Sequence, residues 1–194
     1  MYKLVDDEFF KLPTLDLAKK LIGCFLVHEV GSERLVGRIV ETEAYKGPED
    51  RAAHSFNNRR TPRTEIMFHE AGLVYTYQMH THTLINVVSG PVDVPHAILI
   101  RAVEPVEGIE IMRENRGRKF RDIDLTNGPG KLTKAFGITM DYYGHYWGNA
   151  PLYLAAGDAS GEIATSKRIG IQNSGEAVHY PWRFFEKGNP YVSR

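Results

Sequence analysis

Cysteine is nearly absent from this chain, since Cys24 is the only one among 194 residues. A single cysteine cannot form a disulfide within the chain, which is typical of a protein in a reducing compartment. Cys24 lies in an apolar run, so we expect it to pack in the core rather than to react. The sequence opens without a signal-peptide pattern, and we therefore expect a cytoplasmic location.

Long hydrophobic runs and a net charge are also lacking. The longest apolar stretch, residues 21–27, is too short to cross a bilayer, so we expect no membrane partner. Lys plus Arg total 24 and Asp plus Glu total 24, which argues against a broad basic surface but leaves room for local basic patches. The length favours a single domain, residues 1–194, with a sizeable core, and a monomer is the simplest expectation.

Hydrophobic periodicity predicts an α+β domain with mostly antiparallel strands and a few helices. The predicted strands are residues 24–30, 35–45, 73–79, 81–88, 97–103 and 152–155. The predicted helices are residues 15–22, with Thr14 as N-cap, 106–116, with Pro105 at the first position, and 131–136. Residues 46–64 form a long polar connection, and ordered loops of this length are often functional.

One predicted strand carries two acidic residues and an aromatic residue at alternating positions. Side chains alternate between the faces of a strand, so Glu41, Glu43 and Tyr45 point to the same side. Two interpretations of the carboxylates remain open. They are exposed to solvent at the end of a strand, as acidic residues usually are, or one of them is a general base that activates water.

Aromatic residues and histidines recur along the first half of the chain, among them Tyr45, His54, Tyr75 and Tyr77. Tyrosines at alternating positions are common on a half-buried strand face. The same flat side chains can instead hold a nucleobase between them, because bases stack well on aromatic rings.

A histidine pair, His80 and His82, raises the possibility of a metal site. Alternate positions on one strand would place both rings on one face, as a zinc site requires. Neither an HExxH nor a CxxC motif accompanies them, so we expect no metal and no cofactor.

Several basic segments could contact phosphates. The turn Asn127-Gly128-Pro129-Gly130 enters a helix, whose N-terminal N–H groups favour an anion, and Lys131 adds a charge. Further basic residues lie in the long loop and before the turn: Arg59, Arg60, Arg63, Arg113, Arg116, Arg118, Lys119 and Arg121. Phosphate contacts supply much of the affinity of proteins for DNA, although each group could also be an ordinary solvated face.

Arg101 interrupts an otherwise apolar predicted strand, and a buried guanidinium needs a partner. It either forms a structural ion pair with one of the glutamates or positions a phosphate or an active-site carboxylate.

Taken together, these segments resemble the alkyladenine (3-methyladenine) DNA glycosylases of base-excision repair. The resemblance covers most of the chain in long, ordered motifs. The matching segments are residues 37–45, 47–50, 52–55, 61–63, 67–68, 72–77, 86, 99–105, 128–132, 168–171 and 181–184.

The resemblance implies a curved sheet and a role for each matching residue. Glu43 matches the general base that activates the hydrolytic water, and Arg101 matches an arginine beside it. Tyr45, His54 and Tyr77 match the walls that hold the flipped base. The remaining matches are Asn86, which disfavours guanine through its 2-amino group, and the backbone-contacting residues Gly128, Gly130 and Lys131, to which the loop residue Arg63 is added.

The sequence departs from the family at one position. The family places a tyrosine as the wedge that fills the gap left by the flipped nucleotide, and the matching residue here is His80. Histidine is smaller and can carry a charge near neutral pH, so we expect it to fill the gap with help from Met79.

The resemblance implies a monofunctional glycosylase for alkylated or deaminated purines, such as 3-methyladenine, hypoxanthine and ethenoadenine. Its partner would be double-stranded DNA with a damaged purine. The enzyme would be located in the cytoplasm, in association with the nucleoid. Two other classes remain open from the residues alone: a metal-dependent hydrolase using His80 and His82, and a nucleic-acid-binding module without catalysis.

Overall fold

The computed structural model describes residues 2–117 and 119–193, and Arg118 of the basic group lies outside them. Within these residues there are eight strands and four α-helices. The strands are β1 (Phe25–Val30), β2 (Glu33–Lys46), β3 (Val74–Met79), β4 (His82–Ser89), β5 (His96–Glu107), β6 (Leu152–Ala155), β7 (Ile163–Ser166) and β8 (Arg183–Glu186). The helices are α1 (Asp7–Phe10), α2 (Thr14–Lys20), α3 (Ile109–Arg116) and α4 (Pro129–Phe136).

All eight strands form one antiparallel sheet, which confirms the predicted α+β class. The main order is β3-β4-β5-β2-β1-β6, while β8 pairs with β2 and β7 pairs with β8. None of the helices in the described ranges is both long and apolar enough to span a membrane.

Strand β2 organises the sheet because it is 14 residues long and has partners on both edges. One edge pairs with β5 along nearly its whole length, and the other pairs first with β1 and then with β8. The register with β5 shifts between Ile39 and Thr42, and such bulges bend a strand and redirect its side chains. As a result, the segment from Glu41 to Glu43 lies between β5 and β8.

The two faces of the sheet are covered differently. In β5, Ile98 and Ile100 belong to the main core, which includes buried residues of α2 and α4. Ala97 and Leu99 point the other way, into a smaller cluster that contains Tyr75 and Tyr77. This second face is therefore apolar but rich in aromatic rings.

Two predicted helix starts are wrong. Thr14 lies inside α2 after Pro13, and its hydroxyl contacts His96 Nδ1 at 2.9 Å and Ser89 Oγ at 3.2 Å rather than capping the helix. Pro105 does not begin a helix but continues β5 opposite Gly37, next to a register shift, where a strand tolerates proline.

Helix α3 starts only at Ile109, after Gly108 has turned the chain with a φ of 74°. The sequence patterns also missed α1, β7 and β8, each of which has only four residues. The remaining predicted elements match the structure within a few residues at their ends.

Phe136 offers a direct test of the main core. Its ring packs over β2 so closely that a Cβ on Gly37 would lie 3.0 Å from the ring. We expect Phe136→Ala to lower the free energy of unfolding by about 3–5 kcal/mol, because it leaves a cavity. Urea denaturation measures this. The control Val92→Ala, at a site 60% exposed, should change it by less than about 0.5 kcal/mol; equal losses in both variants would contradict this packing.

Candidate active site

A cavity of about 400 Å³ opens on the aromatic face of the sheet. Its size suits a planar ring system rather than a macromolecule. The lining residues come from β2 to β5, from the long loop, from the start of α4 and from a segment near the C-terminus: Tyr45, Ala52, His54, Met67, Tyr75, Tyr77, Met79, Leu84, Asn86, Ala97, Leu99, Arg101, Pro129 and residues 169–174.

Glu43 lies directly behind this lining and is fully buried. Its Oε2 accepts hydrogen bonds from the Tyr45 hydroxyl at 2.7 Å and from Arg101 Nη1 at 3.3 Å. Its Oε1 accepts one from the backbone N–H of Ile169 at 2.7 Å. A carboxylate can accept about four hydrogen bonds, so Glu43 keeps capacity for one more.

Glu41 is equally buried, and it anchors Arg101 rather than facing the cavity. Glu41 accepts hydrogen bonds from Arg101 Nε at 3.0 Å and from Arg183 Nε at 2.6 Å. Ser193 adds its backbone N–H and its hydroxyl, at 2.7 and 2.8 Å. The interpretation of Glu41 and Glu43 as solvent-exposed carboxylates is therefore wrong.

Arg101 bridges the two carboxylates, as the prediction of a paired guanidinium required. Burial alone would lower the pKa of Arg101, but the carboxylates of Glu43 and Glu41 outweigh it and leave the pKa above its ordinary value. Both carboxylates bind the Arg101 guanidinium and the Tyr45 hydroxyl binds Glu43, so Glu41, Glu43 and Tyr45 lie on the same side of β2, as alternation predicts.

The Tyr45 hydroxyl is a hydrogen-bond donor at working pH. Burial, and then the charge of Glu43, raise the pKa of Tyr45 well above its ordinary value. Tyr45 therefore stays protonated while its ring forms part of the cavity wall.

His54 lies in the same wall, held by two neighbours. Arg63 Nη2 lies 3.1 Å from its Nε2, and the Tyr75 hydroxyl lies 2.8 Å from its Nδ1. A guanidinium can only donate, so Nε2 accepts and Nδ1 carries the proton. Burial, followed by the charges of Arg63 and Arg59, lowers the pKa of His54 to about 4, which keeps the ring neutral.

Tyr77 forms an aromatic corner with His54, because their ring centroids lie 4.6 Å apart at an interplanar angle of 88°. The Arg63 guanidinium lies 4.9 Å from the Tyr77 ring centroid, although Arg63 itself does not line the cavity. Burial, and then Tyr75, raise the pKa of Tyr77 above its ordinary value.

Asn86 is also part of the lining and is 2% exposed. Its side-chain amide donates to the backbone oxygen of Tyr75 at 3.0 Å, across the β3–β4 pair. This bond fixes the orientation of the amide within the wall.

The hairpin between β3 and β4 ends beside the cavity. Met79 lines the cavity and is 44% exposed, while His80 lies in the two-residue turn with a φ of 55°. Because His80 is in the turn and His82 in β4, the two rings do not alternate along one strand. No cluster of three or more possible metal ligands occurs among the described residues, these histidines included.

The turn before α4 reaches the same region. Pro129 lines the cavity, and Gly130 packs so closely on His82 that an added Cβ would lie 2.7 Å from the imidazole. Lys131 Nζ donates to Asn127 Oδ1 at 2.7 Å, beside Gly128 at the N-cap. The structure thus brings this turn together with the hairpin.

Five of the other basic residues fall into two groups. Arg60, Arg113 and Arg121 form ion pairs with acidic neighbours, so their charge is largely compensated. Within the described ranges no carboxylate forms an ion pair with Arg59 or Arg63, and both lie in the long loop beside His54.

Two functional features escaped the sequence patterns. Residues 169–174 form one side of the cavity, and the preceding Arg168 is buried against Asp50, 118 positions away. A polar, glycine-containing segment has no periodicity that would reveal such a role, and only the family motif at residues 168–171 pointed to it.

Comparison with known proteins agrees with this geometry. The model of the methylpurine-DNA glycosylase family matches residues 8–190. Three similar proteins each bear the name "Putative 3-methyladenine DNA glycosylase". The Bacillus licheniformis protein is 62% identical over 188 residues (96% of this chain and 95% of the relative). The Bacillus subtilis protein is 60% identical over 187 residues (96% and 94%), and a Listeria monocytogenes protein is 46% identical over 195 residues (100% and 94%).

A match along nearly the whole chain, on a fold whose buried carboxylate lies behind an aromatic cavity, confirms the resemblance seen in the sequence: the chain belongs to the methylpurine-DNA glycosylase family and is a DNA glycosylase, a hydrolase of DNA repair.

Proposed function

We propose that this enzyme hydrolyses the N-glycosidic bond of alkylated or deaminated purines in double-stranded DNA, without a cofactor. The observation that carries the proposal is Glu43, a buried carboxylate behind a cavity of about 400 Å³ with aromatic walls. The names of the relatives make 3-methyladenine a first candidate substrate. Hypoxanthine and ethenoadenine are further candidates, because they are planar purines of similar size.

Glu43 acts as the general base. Its remaining acceptor capacity binds the water, and the carboxylate takes a proton from that water as the oxygen attacks the sugar C1′. The bond between C1′ and the purine nitrogen breaks, and its electron pair leaves with the base. Arg101, held by Glu41 on one side, keeps the Glu43 carboxylate in place on the other.

The cavity holds the base after the nucleotide has rotated out of the helix. The rotation is necessary because an enzyme cannot reach the bond between C1′ and the base while the base is stacked in the duplex. Tyr45, His54 and Tyr77 provide flat walls, and stacking contributes about 1–3 kcal/mol per base. A cationic methylated purine gains a further cation–π attraction from the tyrosine rings.

Asn86 contributes to the rejection of normal guanine. Its amide is tied to the Tyr75 carbonyl and cannot turn away freely. The 2-amino group of guanine would meet this fixed side chain in the buried wall, whereas adenine and hypoxanthine lack that group.

The DNA would lie across the hairpin and the α4 turn. Met79 and His80, at the exposed hairpin tip, would enter the gap left by the rotated nucleotide. The N–H groups around Gly128 and Gly130, together with Lys131 and the uncompensated Arg63, are suited to backbone phosphates. The enzyme would act as a monomer inside the cell, where the chromosomal DNA is.

The first prediction for the proposed function concerns Glu43. We expect Glu43→Gln to slow base release from a duplex with one hypoxanthine or ethenoadenine by about 10²- to 10⁴-fold, because an amide cannot accept the proton. The assay contains EDTA and reveals abasic sites with alkali. The control Glu49→Gln, on an exposed residue of the nearby loop, should keep wild-type activity.

Other outcomes would identify other functions. Binding without base release from these duplexes or from methylated DNA would favour a nucleic-acid-binding module. Base release that EDTA abolishes would favour the metal-dependent alternative with His80 and His82.

The second prediction concerns the neutral His54. Its pKa of about 4 lies below the ordinary value of 6.5, so the unfolded chain takes up this proton first as the pH falls. The contribution of His54 to stability is therefore complete above about pH 6.5 and is lost between there and pH 4. NMR titration of the ring should show this pKa, and Arg63→Met should raise it by removing a positive charge.

Arg51→Met is the matched control for this titration, because Arg51 lines a pocket of the long loop together with His54 and Arg63 but pairs with Glu176. A wild-type midpoint near 6.5 would show that His54 is neither buried nor held by Arg63 in solution.

The third prediction concerns the hairpin tip. We expect His80→Ala to slow base release from duplex DNA by about tenfold and to leave release from single-stranded DNA nearly unchanged, because only the duplex must be unstacked. His69→Ala, at an exposed histidine away from the hairpin, is the control. If His80→Ala slowed base release equally from duplex and single-stranded DNA, His80 would not be the wedge.

A further inference from the structure

Two of the three hydrogen bonds to Glu43 come from segments that meet at one buried guanidinium. The donors are the Tyr45 hydroxyl and the Ile169 N–H. Arg168 directly precedes Ile169 in the chain, and its guanidinium carbon lies 4.6 Å from the Tyr45 ring centroid. Arg168 is not part of the cavity lining, so it can act on the reaction only through these neighbours.

Asp50 holds this guanidinium from the other side. Both nitrogens of the Arg168 fork bind the Asp50 carboxylate, with Nη2 donating to Oδ1 at 2.8 Å. Both side chains are fully buried, and such a two-point contact fixes position as well as charge.

The two remaining bonds of Arg168 tie the guanidinium to two backbone carbonyls, and Asp50 adds contacts of its own. Nη1 donates to the carbonyl of Ala44 at 2.8 Å, between Glu43 and Tyr45 in β2. Nη2 donates to the carbonyl of Ala177 at 3.3 Å, beyond the cavity segment. The Asp50 carboxylate also accepts from two backbone N–H groups, that of residue 46 at the end of β2 and that of residue 52 in the long loop.

We propose that Arg168 and Asp50 form a positioning pair that holds the Tyr45 hydroxyl and the Ile169 N–H against the Glu43 carboxylate. The proposal rests on the proposed role of Glu43 as general base. Without the pair, the cavity segment and the Tyr45 ring lose their common anchor, and the carboxylate loses donors that favour its charged form. The rate of base release then falls, because a displacement of the Glu43 carboxylate by about 1 Å makes it a much poorer general base.

The test compares Arg168→Met, Arg168→Lys and Asp50→Asn with wild type in single-turnover base release across pH, together with duplex affinity and melting temperature. We expect Arg168→Met and Asp50→Asn to lower the rate about tenfold or more and to change the pH–rate profile on its acidic side. Duplex affinity should change less than about threefold, because the hairpin and the α4 turn, where the DNA would bind, do not depend on the pair. Arg168→Lys keeps the positive charge but loses the two-point contact with Asp50, so its rate should lie between those of wild type and Arg168→Met.

Arg38→Met is the matched control. Arg38 lies elsewhere on β2, pairs with the buried Glu186 of β8 and does not contact Glu43. We expect it to lower the melting temperature but to leave the acidic limb where it is. If Arg168→Met does not fold, Arg168→Lys and Asp50→Asn decide. A wild-type pH profile in the folded Arg168 and Asp50 variants would overturn the proposal.

The two proposals fail in distinguishable ways. If wild type releases no base, or if Glu43→Gln is fully active, the role of Glu43 is wrong. If wild type depends on Glu43 but the Arg168 and Asp50 variants differ from it only in melting temperature, the pair is structural and only the positioning proposal is wrong.

Discussion

The burial of two carboxylates on one strand is the constraint that the site depends on. An unpaired charge in a protein interior is very costly, so Glu41 and Glu43 require donors from several parts of the chain. Arg101 from β5, Arg183 from β8 and Ser193 near the end of the described chain all supply them. The register shifts between β2 and β5, and the pairing of β8 with the other edge of β2, bring these donors to one place.

The division of the sheet into two faces explains how this network becomes a site. One face of β5 packs against helices through aliphatic side chains and provides rigidity. The other face carries tyrosines from β3, and a cavity remains above the aromatic rings. Glu43 lies where the polar network meets this cavity. A rigid support and an open aromatic surface thus meet at a single carboxylate.

Alternation along strands was enough to predict the common face of Glu43 and its neighbours and to place Tyr77 on an aromatic face. The sequence alone left open whether Glu43 was exposed, because burial depends on partners far along the chain. The Arg168–Asp50 pair spans 118 positions and follows no period, so no local pattern could reveal it. Pro105 was misjudged for a related reason, since its place in β5 is decided by pairing with a distant strand.

The role of Glu43 can be seen in a crystal structure of the enzyme on a duplex whose damaged purine is attached to C1′ through a bond that the enzyme cannot hydrolyse. We expect one ordered water within hydrogen-bond distance of Glu43, on the line of attack to the sugar C1′, with the donors from Tyr45, Arg101 and Ile169 still in place. A Glu43 carboxylate with no water between it and C1′, and with the reactive water held by another group, would contradict its role as the general base.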